Sequence, residues 1–348
     1  MKKHLCIGII IAIVACYYTF KGVSFHDLGE ALASMHLMPL IPALIFYILF
    51  YYIRVVRWRY LISSIKDVPN NRLVSPMMIG FMANMLPARV GELIRAYLLG
   101  KRENIPFPSS FATIVVERLF DLLFIIGMFG SLIFFRPDLM SNHGPLGDPE
   151  VINKMKMFGW GSLIVVILLI IFSYLLIHKQ NVVFSWIEFF CRPFPEILKT
   201  KILKFSHSFT DGLMVLKDFK TTCVISLLSG LLWIVSLLGY YPFYFAFDIE
   251  YLPFSSLIVV FVLICLFITI FPTPAFIGSF QAACMVGLHN LFGVPEAVAA
   301  SFGIVTWAFS MIVTFIGGTY YLFKDNISLM DLRPKLSEPD LESTKQGS

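Results

Sequence analysis

Six charged residues stand close together in a part of the chain otherwise fit for lipid: Arg89, Glu92, Arg95, Glu117, Arg118 and Asp121. A charge at the centre of a bilayer costs at least ~3 kcal/mol on insertion scales, so such residues face one another or a polar cavity. Their spacing fits mutual pairing. Glu92 and Arg95 are i,i+3, as are Arg118 and Asp121, and residues so spaced share a helix face. Glu117 and Asp121 are i,i+4 and repel unless an arginine from elsewhere lies between them; Arg89 and Arg95 are the candidates. Three positive and three negative charges make a neutral cluster, which reads equally well as a clamp between segments or as a site.

Arginine at a broken helix favours the site. Pro87 and Gly91 interrupt the apolar run, and a helix restarting there has free N–H groups that attract anions. Arginine adds a planar, bidentate donor set suited to phosphate and stays charged. The expected substrate-binding residues are therefore Arg89, Arg95 and Arg118 on a phosphate, with Glu92, Glu117 and Asp121 orienting the arginines. No His, Ser or Cys nucleophile constellation accompanies them. The six cysteines form no C-x-x-C and the seven histidines no ligand spacing, so no metal or cofactor is expected. There is no G-x-x-x-x-G-K-[ST] loop for a nucleotide, and nothing points to nucleic acid.

The elements that position these residues are set by composition. Apolar residues make up 58% of the 348 and charged residues 14%, with 35 phenylalanines. A globular domain carries about half and about a quarter, so a water-soluble enzyme is excluded and the chain reads as an all-α polytopic membrane protein. Apolar runs lie at about 5–20, 38–58, 73–88, 108–135, 158–178, 222–246, 253–271, 275–292 and 297–323. The first could serve as a signal segment, but Tyr17-Tyr18 after Cys16 is poor cleavage context and an uncleaved span is expected. Spanning takes about 20 helical residues, so the Pro-broken pieces at 73–88, 253–271 and 275–292 read as arms of two re-entrant hairpins beside about six full spans.

Lys and Arg set the orientation. Arg54, Arg57, Arg59, Lys66, Arg72, Lys101 and Arg102 flank the second span and the first hairpin, and more basic residues crowd 179–221. The positive-inside rule then places both termini in the cytoplasm of a multi-pass plasma (inner) membrane protein. Residues 1–323 are expected to form one integral membrane domain. Within it, 179–221 carries an amphipathic helix, lying on the inner leaflet or packed on the bundle, and the polar tail 324–348 is expected to be disordered.

An internal repeat orders these parts. Pro87-Ala-Arg-Val-Gly91 matches Pro274-Ala-Phe-Ile-Gly278, and downstream Val115–Asp121 falls over Ile304–Ser310. Both halves, about 72–135 and 253–323, read broken hairpin, short loop, long span. The orientation makes them inverted, which in transporters points to a midplane binding site.

The run from Leu86 to Tyr97, with Glu117-Arg118-Leu119-Phe120-Asp121, Pro272-Thr273-Pro274 and Gly278, resembles the lysylphosphatidylglycerol synthase transmembrane-region family of flippase-like proteins. The resemblance implies re-entrant hairpins in inverted repeats, shaped by Pro87, Gly91, Pro272, Pro274 and Gly278, and movement of lipids between leaflets. Where the family's second hairpin usually carries paired glycines and a glutamate, this chain has Ala275-Phe276 and a neutral Gln281, which the resemblance places at the binding site. The resemblance does not extend to the soluble aminoacyl-transferase domain of the synthases, so lipid lysylation is not implied. The expected function is transport of an anionic phospholipid or polyprenyl-phosphate-linked lipid, without enzymatic activity. The alternatives are a non-transporting assembly partner for a membrane enzyme and an intramembrane transferase on a lipid-linked substrate.

Overall fold

The computed structural model describes residues 24–85, 90–135, 195–271 and 273–327, with isolated positions between 157 and 189. Among these the regular elements are all helical: α1 (Phe25–Ala33), α2 (Leu40–Ile62), α3 (Asn70–Ala83), α4 (Gly91–Glu103), α5 (Phe107–Phe135), α6 (Glu196–Leu213), α7 (Phe219–Leu238), α8 (Tyr241–Ala246), α9 (Phe254–Ile270), α10 (Ser279–Cys284) and α11 (Glu296–Lys324). A π-helical turn, Met285–Leu291, continues α10. The expected spans at 5–20 and 158–178 and the tail beyond Ile327 lie wholly or largely outside the described residues, as do Pro87, Arg89 and Pro272.

Leu40–Ile62, Phe219–Ala246 and Glu296–Lys324 are each long and apolar enough to cross a membrane. Their exposed residues are apolar and recur at helical spacing: Ile41, Leu44, Ile45, Ile48 and Tyr52 on α2, Leu227, Leu231 and Ile234 on α7, and Ile312, Phe315, Ile316, Tyr320 and Phe323 on α11. An apolar outer stripe opposite a buried face is what a lipid solvent selects, and the protein is an integral membrane protein.

The expected breaks are present. α3 has 14 residues and α4 has 13, so each is about 20 Å long, short of the ~30 Å hydrocarbon layer. In the second half the corresponding arms are α9, of 17 residues, and α10 with its π-helical turn. Each arm pair leads into a helix of 29 residues, α5 or α11. The two breaks touch, since the Ala275 N–H donates to Met85 O at 3.1 Å.

Basic residues are segregated to one end. There Lys66 and Arg72 reach Glu103 at 3.1 and 3.3 Å, and Arg102 reaches Asp325 at 2.9 Å. At the other end His36 N–H donates to Ala246 O at 2.9 Å, and residues 24–39, 247–253 and 292–295 contain no Lys or Arg. α6 packs on the start of α5, where Ser109 Oγ donates to Ser208 O at 2.7 Å, while its Leu198 and Phe205 remain exposed.

Gly91 shapes the first arm pair by its size. It lies within α4, and a Cβ there would overlap Gly80 O on α3; a Cβ on Gly80 would stand 2.8 Å from Arg95 Cβ. The two arms cross where neither carries a side chain, which carries Arg95 into the interior. Gly91→Ala is expected to cost about 1–3 kcal/mol through overpacking. Gly127→Ala on α5, where nothing lies within 4 Å, should leave stability unchanged or raised. Thermal unfolding of both variants in one detergent checks the contrast.

Candidate functional site

The charged residues converge, but in a different arrangement from that expected. Glu117 on α5 is fully buried and receives four guanidinium groups. Arg54 Nη1, Arg57 Nη2 and Arg118 Nη2 stand 3.1, 3.1 and 2.7 Å from its Oε1, and Arg95 Nη2 stands 2.6 Å from its Oε2. Asp121, one turn on, takes Arg57 Nη1 at 2.7 Å and Arg118 Nη2 at 3.2 Å. Glu92 on α4 pairs with Arg118 Nε at 3.5 Å.

Three expectations are corrected. Glu92 and Arg95 pair across to α5, because α4 lies beside α5 and a cross-helix partner is closer to each tip than its own helix offers. Arg57 and Arg118 each reach both Glu117 and Asp121, whereas the expected Arg95 reaches Glu117 alone. The cluster is not neutral: Arg54, Arg57, Arg95 and Arg118 face Glu92, Glu117 and Asp121, so four positive charges meet three negative ones among the described residues.

Arg54 and Arg57 were read as markers of a basic flank, yet both lie inside α2 and are buried, Arg57 completely. The signal was their spacing. Residues 54, 57, 58 and 61 share one helical stripe, and Trp58 and Leu61 on it are core residues; Arg59 lies off it, exposed, and pairs with Asp67. Aromatic rings support the inner arginines. Arg95 lies 3.8 Å over the Trp58 ring, which Thr113 fixes by accepting from Nε1 at 3.0 Å, and Arg54 lies 4.7 Å from both Phe50 and Phe81. Ser229 of α7 accepts from Arg57 at 3.1 Å.

A cavity of about 280 Å³ opens on one side of this cluster, between the two halves of the chain. Its polar wall is Arg54, Asn84, Glu92 and Arg118, and its other walls are aromatic, among them Tyr47, Tyr51, Trp233, Tyr240, Phe261 and Phe276. Arg54 Nε, Trp233 Nε1 and Asn84 Oδ1 are buried without a hydrogen-bond partner, as are Arg57 Nε and Arg95 Nε behind the cavity, whereas Arg118 Nε faces Glu92. Across the cavity Tyr51 Oη and Thr314 Oγ1 share a hydrogen bond of 2.5 Å. Arg57, Arg95, Glu117 and Asp121 do not line it. Of the residues expected to bind substrate, the structure brings Glu92 and Arg118 to the cavity and sets Arg95, Glu117 and Asp121 behind them; Arg89 lies outside the described residues.

Gln281 is elsewhere. Its Oε1 accepts from the Gly278 N–H at 2.8 Å, capping α10 at the second break rather than joining the charges. That break is held by Thr273 and Ser279, whose hydroxyls stand 3.0 Å apart, and by Trp307 Nε1 donating to Ala275 O at 2.7 Å. In the repeat register Trp307 occupies the place of Arg118. Ala275, Phe276 and Gly278 have φ of 49°, 63° and 83°, a region that only glycine enters freely.

The family model for the lysylphosphatidylglycerol synthase TM region matches residues 5–318. The chain belongs to that family. It is similar to a UPF0104 membrane protein of Methanothermobacter thermautotrophicus, 22% identical over 328 residues that cover 88% of this chain and 90% of that one. It is also similar to the glycosyltransferase AglD of Haloferax volcanii, 28% identical over 128 residues, 36% of this chain and only 20% of the relative. A UPF0104 membrane protein of Methanocaldococcus jannaschii is 28% identical over 103 residues, 29% of this chain and 39% of that one. No solved structure gives a significant match.

Ala275 and Phe276 hold positive φ values at a cost of about 1–3 kcal/mol each, which glycine would avoid. Ala275→Gly is therefore expected to raise stability by about 1 kcal/mol, read as a higher midpoint of thermal unfolding.

In the cluster, Arg57→Ala removes the bridge between two buried carboxylates and should cost about 3–5 kcal/mol. Arg118, more than a third exposed, should cost less when changed to Ala. Adding Asp121→Ala to Arg57→Ala should recover part of the loss, and a double-mutant cycle in unfolding midpoints measures the coupling.

Proposed function

We propose that this protein moves a phosphate-bearing lipid, an anionic phospholipid or a polyprenyl-phosphate-linked lipid, between leaflets through the cavity beside Arg54 and Arg118. The observation that carries the reading is the excess of one positive charge among the described residues of the cluster, with Arg54 and Arg118 lining an aromatic cavity and Arg54 Nε left without a partner. A phosphate supplies the missing negative charge and acceptors, and the aromatic walls suit the apolar part of the lipid. Arg57, Arg95, Glu117 and Asp121 form the frame behind the site, and Glu92 sets Arg118.

In this reading α3 with α4, and α9 with α10, are re-entrant hairpins entering from opposite faces. Arms of about 20 Å in the first hairpin and the hydrogen bond between the breaks support it. The basic end faces the cytoplasm, with both termini there and six full crossings in the plasma membrane. The inverted halves supply alternating exposure of the cavity.

The relative named as a glycosyltransferase favours a second reading. The match covers a fifth of that relative, so a segment like this one stands within a larger chain named as an enzyme. The protein would then assist a membrane enzyme without transporting.

Reconstitution in liposomes with a panel of fluorescent lipids, followed by a quencher that reaches only the outer leaflet, separates the two readings. Transport predicts faster exchange of phosphate-bearing lipids than in empty liposomes, lost in a folded Arg118→Gln variant. Exchange no faster than in empty liposomes for every lipid would favour the assembly partner.

A further inference from the structure

A second basic cleft lies at the end of the first arm pair, away from the aromatic cavity. It measures about 430 Å³ and is lined by Ser75 of α3, by Tyr97, Lys101 and Arg102 of α4, and by Asp325 and Ile327 just past α11. That volume exceeds ten waters at about 30 Å³ each. The Asp325 carboxylate occupies its donors: Ser75 Oγ donates to Oδ2, and Arg102 Nη1 reaches the same oxygen at 2.9 Å. Ser75 is only 2% exposed, so its hydroxyl depends on this partner. Lys101 lines the cleft with no ion-pair partner among the described residues.

Asp325 is an odd residue to find there. It caps the C-terminus of α11, where the helix dipole disfavours a carboxylate and favours a cation. The adjoining Lys324 fits that rule; Asp325 does not. What holds it is the pair of donors from the neighbouring arms. Ser75, Lys101 and Arg102 thus make an anion site that the chain itself fills with an acid placed against its own helix dipole. Basic clefts between helices at the positively charged end of a membrane protein receive lipid phosphates from the adjacent leaflet.

We propose that this cleft is a second binding site, for the phosphate headgroup of an anionic lipid in the leaflet at the basic end, and that such a lipid competes with Asp325 for Ser75 and Arg102 while Lys101 adds the further charge. The site is independent of the transport reading, because none of its residues lines the aromatic cavity.

The test uses the full chain in a neutral detergent with three probes: dioleoyl phosphatidic acid, dioleoyl phosphatidylcholine and inorganic phosphate. Binding is read by native mass spectrometry and by the shift in unfolding midpoint. Phosphatidic acid is expected to bind wild type, and Asp325→Asn to bind it about five- to tenfold more tightly. Lys101→Ala, a change of one exposed side chain, should weaken binding several-fold even if Asp325→Asn proves unstable. Arg54→Lys in the aromatic cavity should leave these differences intact. Equal binding of phosphatidylcholine, or no loss in Lys101→Ala, overturns the site. An effect reproduced in full by inorganic phosphate overturns the lipid as its occupant. Loss of the Lys101 and Asp325 effects in Arg54→Lys would return the binding to the first cavity and overturn a second site.

Discussion

The fold turns on one fully buried carboxylate. Glu117 is reached by Arg54 and Arg57 from α2, Arg95 from α4 and its own neighbour Arg118 on α5, so a single residue ties a span, a hairpin arm and a long helix together. Removing one partner of such a network leaves a buried charge uncompensated, while the attraction of the pairs acts in a medium that screens poorly. Because four arginines crowd three carboxylates, the network is incomplete on the side of the cavity. In the proposed transport reading the same charges that hold the fold also receive the anion, so stability and binding would draw on one network.

The two halves share a plan and differ in chemistry. Each runs short arm, break, short arm and 29-residue helix, and the breaks meet through Met85 and Ala275. In the repeat register, Glu117, Arg118 and Asp121 of the first half face Thr306, Trp307 and Ser310 of the second. Those hydroxyls bond to their own helix backbone, Thr306 to Phe302 O and Ser310 to Trp307 O, and Trp307 braces the second break. The first half thus supplies charge and the second supplies shape. Gln281 belongs to that division: it satisfies the Gly278 N–H where no basic partner stands, a task an uncharged amide performs without a buried charge.

The cavity has a mixed character, with charged and polar groups set in aromatic walls. Arg54 is sandwiched by Phe50 and Phe81, and Tyr51 shares a hydrogen bond with Thr314 from the opposite half. Polar atoms on aromatic walls let a charged group and an apolar chain share one chamber without exposing either to the wrong solvent.

The sequence by itself determined the medium and the punctuation. With 58% apolar residues and 14% charged, the chain can be solvated only by lipid, and its Pro and Gly breaks cut the apolar runs where the helices in fact stop. Charges inside such runs are costly enough to announce themselves, so Glu92, Arg95, Glu117, Arg118 and Asp121 were legible as a cluster. The tertiary structure alone decided who pairs with whom. Arg54 and Arg57 looked like the basic flank of a span because composition marks a membrane end only to within a turn or two. Their burial depends on which face of α2 meets α5. Spacing along one helix favoured both Glu92 with Arg95 and Arg118 with Asp121; the second pair is present within α5, but Glu92 and Arg95 each pair with α5 instead, because burial brings a neighbouring helix closer than the next turn. The net charge of the cluster among the described residues is a sum over three helices that no single stretch of sequence contains.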